Sequence, residues 1–418
     1  MNSRTYIRSV EGGDFMENIR FFHVADLHLD SPFTGLKHLP TELFERIHNS
    51  TFASFEKVVK EAIAREVDFM ILSGDLFNEE DRSIRAQAKL VKQFQILHSH
   101  DIPVYVVHGN HDHLGSRRLE LDMPDNIHIF HEETEVKQLT TRNGTLVDIV
   151  GFSYGTRHIR ERRIGEYPKG TRGRYTIGIL HGSEGSMNSS HETYAPFTLN
   201  ELLEKNYHYW ALGHIHQRRI LHEEPYIVYS GNIQGRHRKE TGAKGCYEVL
   251  LDEYQTELSF IPTHDLLWET CDVSLHGIGR FGEVFQRIQQ AVETIHEDSL
   301  IEIVLTDEDS LPEDMMRKIE NGDLLEALQS DIENHGELKW IHSIRRSPAS
   351  TAIKERDPFL QDMILTLESL EGEELKEVLA ELYEHPSIYR FLAPLEDEGK
   401  NDLIEETKHL LKSGGERN

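Results

Sequence analysis

Cysteine is almost absent from this chain of 418 residues, which contains only Cys246 and Cys271. Two cysteines can form at most one disulfide, so the sequence excludes a disulfide-stapled scaffold and a zinc site built on cysteine clusters. Long hydrophobic runs are also lacking, because no apolar stretch approaches the roughly 20 residues that a membrane span needs. We therefore expect no membrane association, and the cytoplasm is the expected compartment.

Positive charge is scarce as well. The chain has 45 lysine and arginine residues against 73 aspartate and glutamate residues, which gives a formal net charge of −28. Such a chain as a whole does not attract nucleic acid or anionic membranes. Any contact with nucleic acid must therefore come from a local basic loop or from a partner protein. The length predicts two or three domains with ample core for a rigid site.

Several apolar strands are each followed by side chains that bind metals. A β-branched and aromatic run at 104–107 leads to Gly109, Asn110, His111 and Asp112. Alone, Gly-Asn-His-Asp is more often an ordinary turn. The arrangement recurs, however, in FFHVADLH at 21–28, VDFMILSGD at 67–75, YTIGILH at 175–181 and YHYWALGHIH at 207–216. Because open α/β sheets place their sites at the carboxyl ends of strands, this recurrence predicts one shared site.

The spacing within these segments is typical of metal ligands. Asp26 and His28 are two positions apart, and His214 and His216 repeat that spacing, so each pair can reach one ion. A single histidine on a strand is usually a hydrogen-bonded core residue, and each segment alone is therefore a weak signal. Five segments in the order D-x-H, G-D, G-N-H-D, H-G and G-H-x-H strongly indicate a metal site.

This order resembles that of the calcineurin-like metallophosphoesterases, and within them the SbcD-like DNA repair exonucleases, most closely the YhaO-like branch. The resemblance covers 18–251, and it includes DLHLDSPF at 26–33 and SGNIQGRHRKETGAKG at 230–245. It implies an α/β (α+β) fold in which a β-sandwich is flanked by helices, followed by a small α/β capping domain and a C-terminal helical segment. The alternation of strands and helices before position 262 also fits two sheets between helices.

The resemblance further implies two divalent ions and the residues that hold them. One ion would be bound by Asp26, His28, Asp75 and His216, and the other by Asp75, Asn110, His181 and His214. His111 would act on the transferring phosphate and the leaving oxygen, with Asp112 holding its orientation. Manganese is the metal that the resemblance implies, and mixed imidazole, carboxylate and amide ligands also suit it better than calcium or magnesium. Zinc and iron stay open.

A local basic cluster stands out in the acidic chain. It consists of Arg236, His237, Arg238, Lys239 and Lys244, punctuated by glycines that allow close approach to a phosphate backbone. We predict that it binds DNA, and that loss of charge at Arg236 and Arg238 weakens DNA binding while cleavage of a small diester persists. The alternative is a solvated hairpin loop in which the glycines serve only the turns.

Four segments are expected along the chain: a disordered tail at 1–16, a nuclease domain at 17–265, a capping domain at 266–347 and a partner-binding helical segment at 348–418. Met16 is a candidate start. The capping segment contains GIGRFG at 277–282, which matches a dinucleotide fingerprint. One βαβ-like unit is weak support for nucleotide binding, and a glycine-rich turn is the favoured interpretation. The terminal helices either pack back onto the domains or dock a partner.

The predicted function is a manganese-dependent DNA exonuclease or endonuclease that acts in DNA repair with an SMC-like ATPase, bound through the terminal helices. A homodimer is implied by the resemblance only. Two alternatives remain: a phosphodiesterase or phosphatase for a small nucleotide or a protein substrate, which would use the same metal ligands, and a non-catalytic scaffold subunit. The intact ligand set and His111 argue against the scaffold.

Overall fold

The structure is a computed structural model, and it describes most of the chain before position 347. The described residues are 17–33, 36, 39–78, 83–115, 121–185, 194–307, 311–332, 338–346, 363–366, 379, 404 and 407. The predicted tail at 1–16 and nearly all of the predicted helical segment at 348–418 lie outside these residues. The chain divides into two compact units, the first made of Met1–Pro32, Glu45–Glu269 and Glu297–Leu300, and the second of Phe33–Phe44, Thr270–His296 and Ile301–Asn418.

Three sheets are formed by the described residues. In spatial order, the first contains Thr256–Pro262 (β12), Gly245–Leu251 (β11), Ile19–Val24 (β1), Phe69–Ser73 (β2), Val104–Val107 (β3) and Ile127–Ile129 (β4). The second contains Glu135–Thr140 (β5), Leu146–Gly151 (β6), Tyr175–His181 (β7), Tyr209–Gly213 (β8), Tyr226–Tyr229 (β10) and Arg219–Glu223 (β9). The third contains Leu267–Ser274 (β13), Ser299–Thr306 (β14) and Lys339–Arg346 (β15).

Helices accompany the sheets of both units. The first unit has Ile84–His98 (α2), Leu199–Leu203 (α3) and, from Glu45 onward, Thr41–Ala64 (α1). The second unit has Phe281–Glu293 (α4), Glu313–Glu320 (α5) and Asp323–Ile332 (α6). Helices α1 and α2 belong to the alternation of strands and helices that the sequence predicted before position 262. Ser83 caps α2, since its side chain accepts a hydrogen bond from the Ala86 amide at 3.1 Å.

The first two sheets pack face to face. Phe21 on β1 stacks on Phe69 of β2 at 4.9 Å between ring centroids, and it meets Tyr209 of β8 edge-on at 5.3 Å. The opposite face of the first sheet carries Phe22 and Val24, which lie in one buried cluster with the apolar faces of α1 and α2. The predicted sandwich flanked by helices is therefore confirmed. Strands buried on both faces also explain the continuous apolar runs in the sequence.

Strand direction decides where the site lies. β1, β2 and β3 run parallel in the first sheet, and β6, β7 and β8 run parallel in the second. The carboxyl ends of parallel strands meet at one edge of a sheet. The loops that leave these strands carry the predicted ligands, so the fold itself gathers residues that lie almost two hundred positions apart.

Candidate metal centre

Each predicted ligand follows or ends a parallel strand. The set consists of Asp26 and His28 after β1, Asp75 after β2, Asn110 after β3, His181 at the end of β7, and His214 and His216 after β8. Asp26, His28, Asp75 and His214 have φ angles of 50°, 42°, 51° and 99°. Residues other than glycine rarely adopt this left-handed region, and such backbone strain concentrates at functional sites.

One group of ligand atoms is formed by Asp26, His28 and His216, all within 4.8 Å of one another. His28 Nε2 lies 2.9 Å from His216 Nε2. Burial, with the nearby Arg236 and His216, holds the pKa of His28 well below its usual value, so the His28 ring is neutral. Two imidazole nitrogens that converge in this way suit a common cation.

The second group is formed by Asp26, Asp75 and His181, again within 4.8 Å. His181 donates through Nδ1 to the Ser73 carbonyl at 3.0 Å, which directs Nε2 into the site. That Nε2 lies 2.9 Å from Asn110 Oδ1 and 3.3 Å from Asp75 Oδ2. Burial lowers the pKa of His181, but the two carboxylates outweigh it and raise the pKa to about 9.

Two carboxylates share this buried volume. Asp26 and Asp75 are each only 1% exposed. Burial raises the pKa of Asp26, and the charge of Asp75 adds to this effect. The pKa of Asp75 is held well below its usual value despite burial, because His181 and His111 lie beside it. Adjacent buried carboxylates need positive charge close by, and this oxygen and nitrogen donor set fits two divalent cations.

His214 completes the group that the sequence predicted. Its backbone N–H donates to Asp26 Oδ1 at 3.0 Å, and its ring lies 5.2 Å from the ring of His181. Burial and the nearby His181 lower its pKa to about 3, so the ring is neutral near physiological pH. The structure thus brings all seven predicted ligand residues together at one edge. Asp75 lies between the rings of His28 and His181, with its Oδ2 at 3.8 and 3.3 Å from their Nε2 atoms.

His111 lies at the margin of this group. Its backbone N–H donates to Asp75 Oδ1 at 3.0 Å, and its ring meets the His28 ring edge-on at 5.2 Å. Its Nδ1 donates to the Asn78 carbonyl at 2.9 Å, which leaves Nε2 to reach a substrate. The structure therefore places His111 beside the ligands, as predicted. The catalytic role of His111 stays a prediction.

Asp112 does something different from what the sequence suggested. Its carboxylate accepts hydrogen bonds from the Gly109 and Leu76 amides at 2.7 and 3.1 Å, and it lies 2.8 Å from His108 Nδ1. The His111 ring is instead oriented by Asn78. We therefore revise the role of Asp112. Its side chain is fully buried and turns back toward the strand ends, where it holds the backbone of the loop that carries His111.

Close packing explains two glycines of the site. A Cβ atom at Gly109 would collide with Asp75 Oδ1 and would lie 2.6 Å from His181 Nε2. Gly74 has a φ of 97°, and a Cβ there would strike the His181 ring. Only glycine lets the strand-end loops approach the ligands this closely.

Glu240 and Asn78 beside the site were missed by sequence reasoning, and Arg236 was misassigned. Glu240 is buried and accepts a hydrogen bond from His216 Nδ1 at 2.6 Å. Arg236 donates to the Asn78 side chain at 2.6 Å and lies 3.3 Å from His216 Nδ1. Burial opposes ionisation of Glu240, but His216 and Arg236 hold its pKa well below the usual value. No motif identifies Glu240, whose only sequence signal is an acid within a basic run.

The basic cluster therefore does not form one surface. Arg236 has a side chain only 16% exposed and lies against the ligand His216. Lys244 directs its ammonium toward the His216 carbonyl at 3.5 Å, and burial lowers its pKa. His237 lies 3.5 Å from the Glu240 carboxylate, whereas Arg238 and Lys239 are exposed. Only the last two have the accessibility that was predicted for the whole cluster.

Comparison with known proteins decides the family. The model of the family described as "Calcineurin-like phosphoesterase" matches residues 19–218. The uncharacterized metallophosphoesterase YhaO of Bacillus subtilis (strain 168) is 35% identical over 403 residues, which span 95% of this chain and 98% of that protein. The chain belongs to the calcineurin-like phosphoesterases. The similarity to YhaO also confirms the branch that the motifs indicated.

More distant similarities extend to proteins named for DNA repair. The DNA double-strand break repair protein Mre11 of Methanocaldococcus jannaschii is 26% identical to this phosphoesterase over 285 residues, or 65% of the chain and 73% of that protein. A solved dimetal phosphatase from Danio rerio covers 59% of the chain at 11% identity and a TM-score of 0.37, too distant to support an argument. Among the described residues, no helix has the length and apolarity to cross a membrane.

Proposed function

We propose that this phosphoesterase hydrolyses phosphodiester bonds in DNA with two divalent metal ions, and that these ions are Mn²⁺. The observation that carries the proposal is the pair of ligand groups in one buried site, each of three residues and joined through Asp26. Asp75 lies between His28 and His181 and is the proposed shared ligand. The first ion would be held by Asp26, His28, Asp75 and His216, and the second by Asp75, Asn110, His181 and His214.

Two bound ions would supply activation of a water and neutralisation of phosphate charge. The chain's own residues prepare the remaining steps. Neutral His28 and His214 keep nitrogen lone pairs available, because burial depresses their pKa values. His111, held through Nδ1 by Asn78, presents Nε2 to the phosphate or to the leaving oxygen. As the imidazolium, it carries a proton on that Nε2, which stabilises charge on the phosphate or passes to the leaving oxygen. Burial of the site excludes bulk water and strengthens these interactions.

DNA is the proposed substrate for two reasons. A relative that matches 65% of the chain is named for DNA double-strand break repair, and the exposed Arg238 and Lys239 supply local positive charge in the loop that also carries Arg236 and Glu240. In a chain of net charge −28, such a local cluster is needed for an anionic polymer to approach. We further propose action in the cytoplasm, as a homodimer, with an SMC-like ATPase that binds 348–418. Co-purification of the full chain and of a chain ending at 347 tests the ATPase contact.

The test of function offers the Mn²⁺-loaded protein duplex DNA, single-stranded DNA and a small chromogenic diester. We expect DNA cleavage, and a loss of roughly 10²- to 10⁴-fold in kcat in His111→Ala with Mn²⁺ affinity retained. His100→Ala, at an exposed position two residues after the end of α2, is the control and should behave as wild type. Cleavage of the diester without DNA cleavage would favour a small nucleotide substrate. Inactivity of the loaded protein toward all three would favour a scaffold.

A further inference from the structure

Glu240 lies outside the seven predicted ligands, yet it is bonded directly to one of them. His216 Nδ1 donates to Glu240 Oε1 at 2.6 Å, and the two side chains are 22% and 7% exposed. A neutral imidazole that donates through Nδ1 presents the lone pair of Nε2 on its other side, which is the form that binds a metal ion. In this structure that Nε2 faces His28 Nε2 at 2.9 Å, inside the first ligand group.

The carboxylate of Glu240 is itself held in place. Its Oε2 accepts a hydrogen bond from the Asn232 side-chain amide at 2.7 Å and another from the Arg236 backbone amide at 2.7 Å. The oxygen that contacts His216 is therefore held in place by the protein's own hydrogen bonds. Such preorganisation matters because a ring free to rotate would lose entropy on binding a metal.

A purely structural role for Glu240 is the competing explanation. In that view the carboxylate only closes the loop and balances the charges of Arg236 and His237. The contacts between Glu240 Oε1 and those two charged side chains are longer than its contact with His216, however. Arg236 Nε lies at 4.0 Å and His237 Nε2 at 3.5 Å from Oε1. The 2.6 Å bond goes to His216, so the geometry favours action on that ring.

We propose that Glu240 is a positioning residue that fixes the tautomer and orientation of His216. It thereby raises the affinity of the site for one of the two divalent ions. The proposal rests on the metal site proposed above. A carboxylate on the far nitrogen also makes the imidazole a stronger donor, and loss of such a partner typically costs roughly 10- to 100-fold in metal affinity. His181 has a backbone carbonyl, that of Ser73, in the corresponding place.

The test measures binding of Mn²⁺ in the absence of substrate, by calorimetry and by electron paramagnetic resonance of the free ion. Glu240→Ala should weaken one ion roughly 10- to 100-fold and leave the other within about threefold of wild type. Glu240→Gln keeps an oxygen that can accept a hydrogen bond from His216 Nδ1 but carries no charge. The loss of Mn²⁺ affinity in this variant should therefore be smaller. Asp148→Asn is the matched control, since this carboxylate is also buried and bonded, to Arg174, but lies on β6.

The outcomes separate the two roles. Wild-type affinity for both ions in Glu240→Gln and Glu240→Ala, with a lower unfolding midpoint, would overturn the proposal and leave a structural role. Should Glu240→Ala fail to fold, Glu240→Gln decides alone. Equal weakening in Asp148→Asn would also overturn it. Because no substrate is present, the result stands whether or not DNA is what the protein cleaves.

Discussion

Gly109 shows how tightly single residues are constrained around the ligands. The loop after β3 passes so close to Asp75 and His181 that no side chain fits between them. The hydrogen bond from the Gly109 amide to Asp112 Oδ1, at 2.7 Å, holds the loop in this position. The absence of a side chain is thus a requirement of the site and not only of the turn.

Gly109→Ala is therefore expected to weaken Mn²⁺ binding by more than about tenfold, because the new methyl group must displace the Asp75 carboxylate or the His181 ring. Overpacking of this kind also costs roughly 1–3 kcal/mol of stability. Calorimetric titration with Mn²⁺ and denaturant unfolding measure the two effects. Gly165→Ala is the control, since no atom lies within 4 Å of a Cβ there. Unchanged Mn²⁺ affinity in Gly109→Ala would show that the ligands are placed differently.

Residue types were more predictable than residue contacts. The five motifs identified all seven residues that the structure gathers, because ligand chemistry and strand-end position are written in the local sequence. The prediction that Asp112 orients His111 was wrong, and Glu240 was missed. Both depend on contacts across 24 to 36 positions, such as the bond from the Leu76 amide to Asp112, that local patterns do not record.

At the scale of elements, the central strands were predicted and several edge strands were not. β5, β9 and β12 lie at the ends of their sheets and were absent from the prediction. β5 and β9 have few buried side chains, since one flank of an edge strand faces solvent. Their polar sequences, EVKQLT and RILHE, therefore lack the apolar run that marked β2 and β3.

The loop between β10 and β11 gives a prediction at this scale. Arg236 points into the site and Arg238 is exposed, so their substitutions should differ, contrary to the equal effects expected from sequence. Arg238→Gln should weaken DNA binding and reduce its salt dependence while diester cleavage is unchanged. Arg236→Gln should slow cleavage of both substrates, because it leaves Asn78 and His216 without their neighbour. Binding isotherms at several salt concentrations, together with diester kinetics, distinguish the two.

Weaker DNA binding with unchanged diester cleavage in both variants would contradict the division of this loop. The orientation of Arg236 would then have no bearing on the reaction, and the original prediction of one basic surface would stand. Lys239→Gln, at the exposed neighbour of Arg238, serves as the companion variant and should resemble Arg238→Gln.

For the molecule as a whole, a buried histidine links the two large sheets. His23 on β1 is bonded to the Tyr209 hydroxyl at 3.0 Å and to the Leu212 carbonyl at 3.1 Å, both on β8. Donation by Nε2 to the carbonyl leaves Nδ1 to accept from the hydroxyl, which a neutral ring satisfies completely. Burial lowers the pKa of His23 to about 3. The folded state therefore resists protonation, whereas the unfolded chain is protonated below about 6.5.

This difference predicts acid sensitivity of the first unit. As the pH falls from about 6.5 toward 3, the unfolded state gains a proton that the folded state does not, so stability declines by up to about 1.4 kcal/mol per pH unit from this group. In His23→Gln the decline should be shallower by that amount, even if stability at pH 8 is lower. Denaturant unfolding at pH values from 8 to 5 measures this decline in the free energy of unfolding. His100→Gln, at an exposed position, should keep the wild-type slope; an unchanged slope in His23→Gln would contradict the prediction.

The sequence by itself determined the types of the ligands, the strands that they follow and the family, because those depend on local apolar runs and on residue chemistry at strand ends. Only the tertiary structure decided which side chains support the ligands and which basic residues reach solvent. Glu240, Asn78 and Arg236 acquire their contacts through loops from different strands, and the direction of each side chain depends on packing between distant segments. Local sequence carries no record of that packing until the sheets bring the strand ends together.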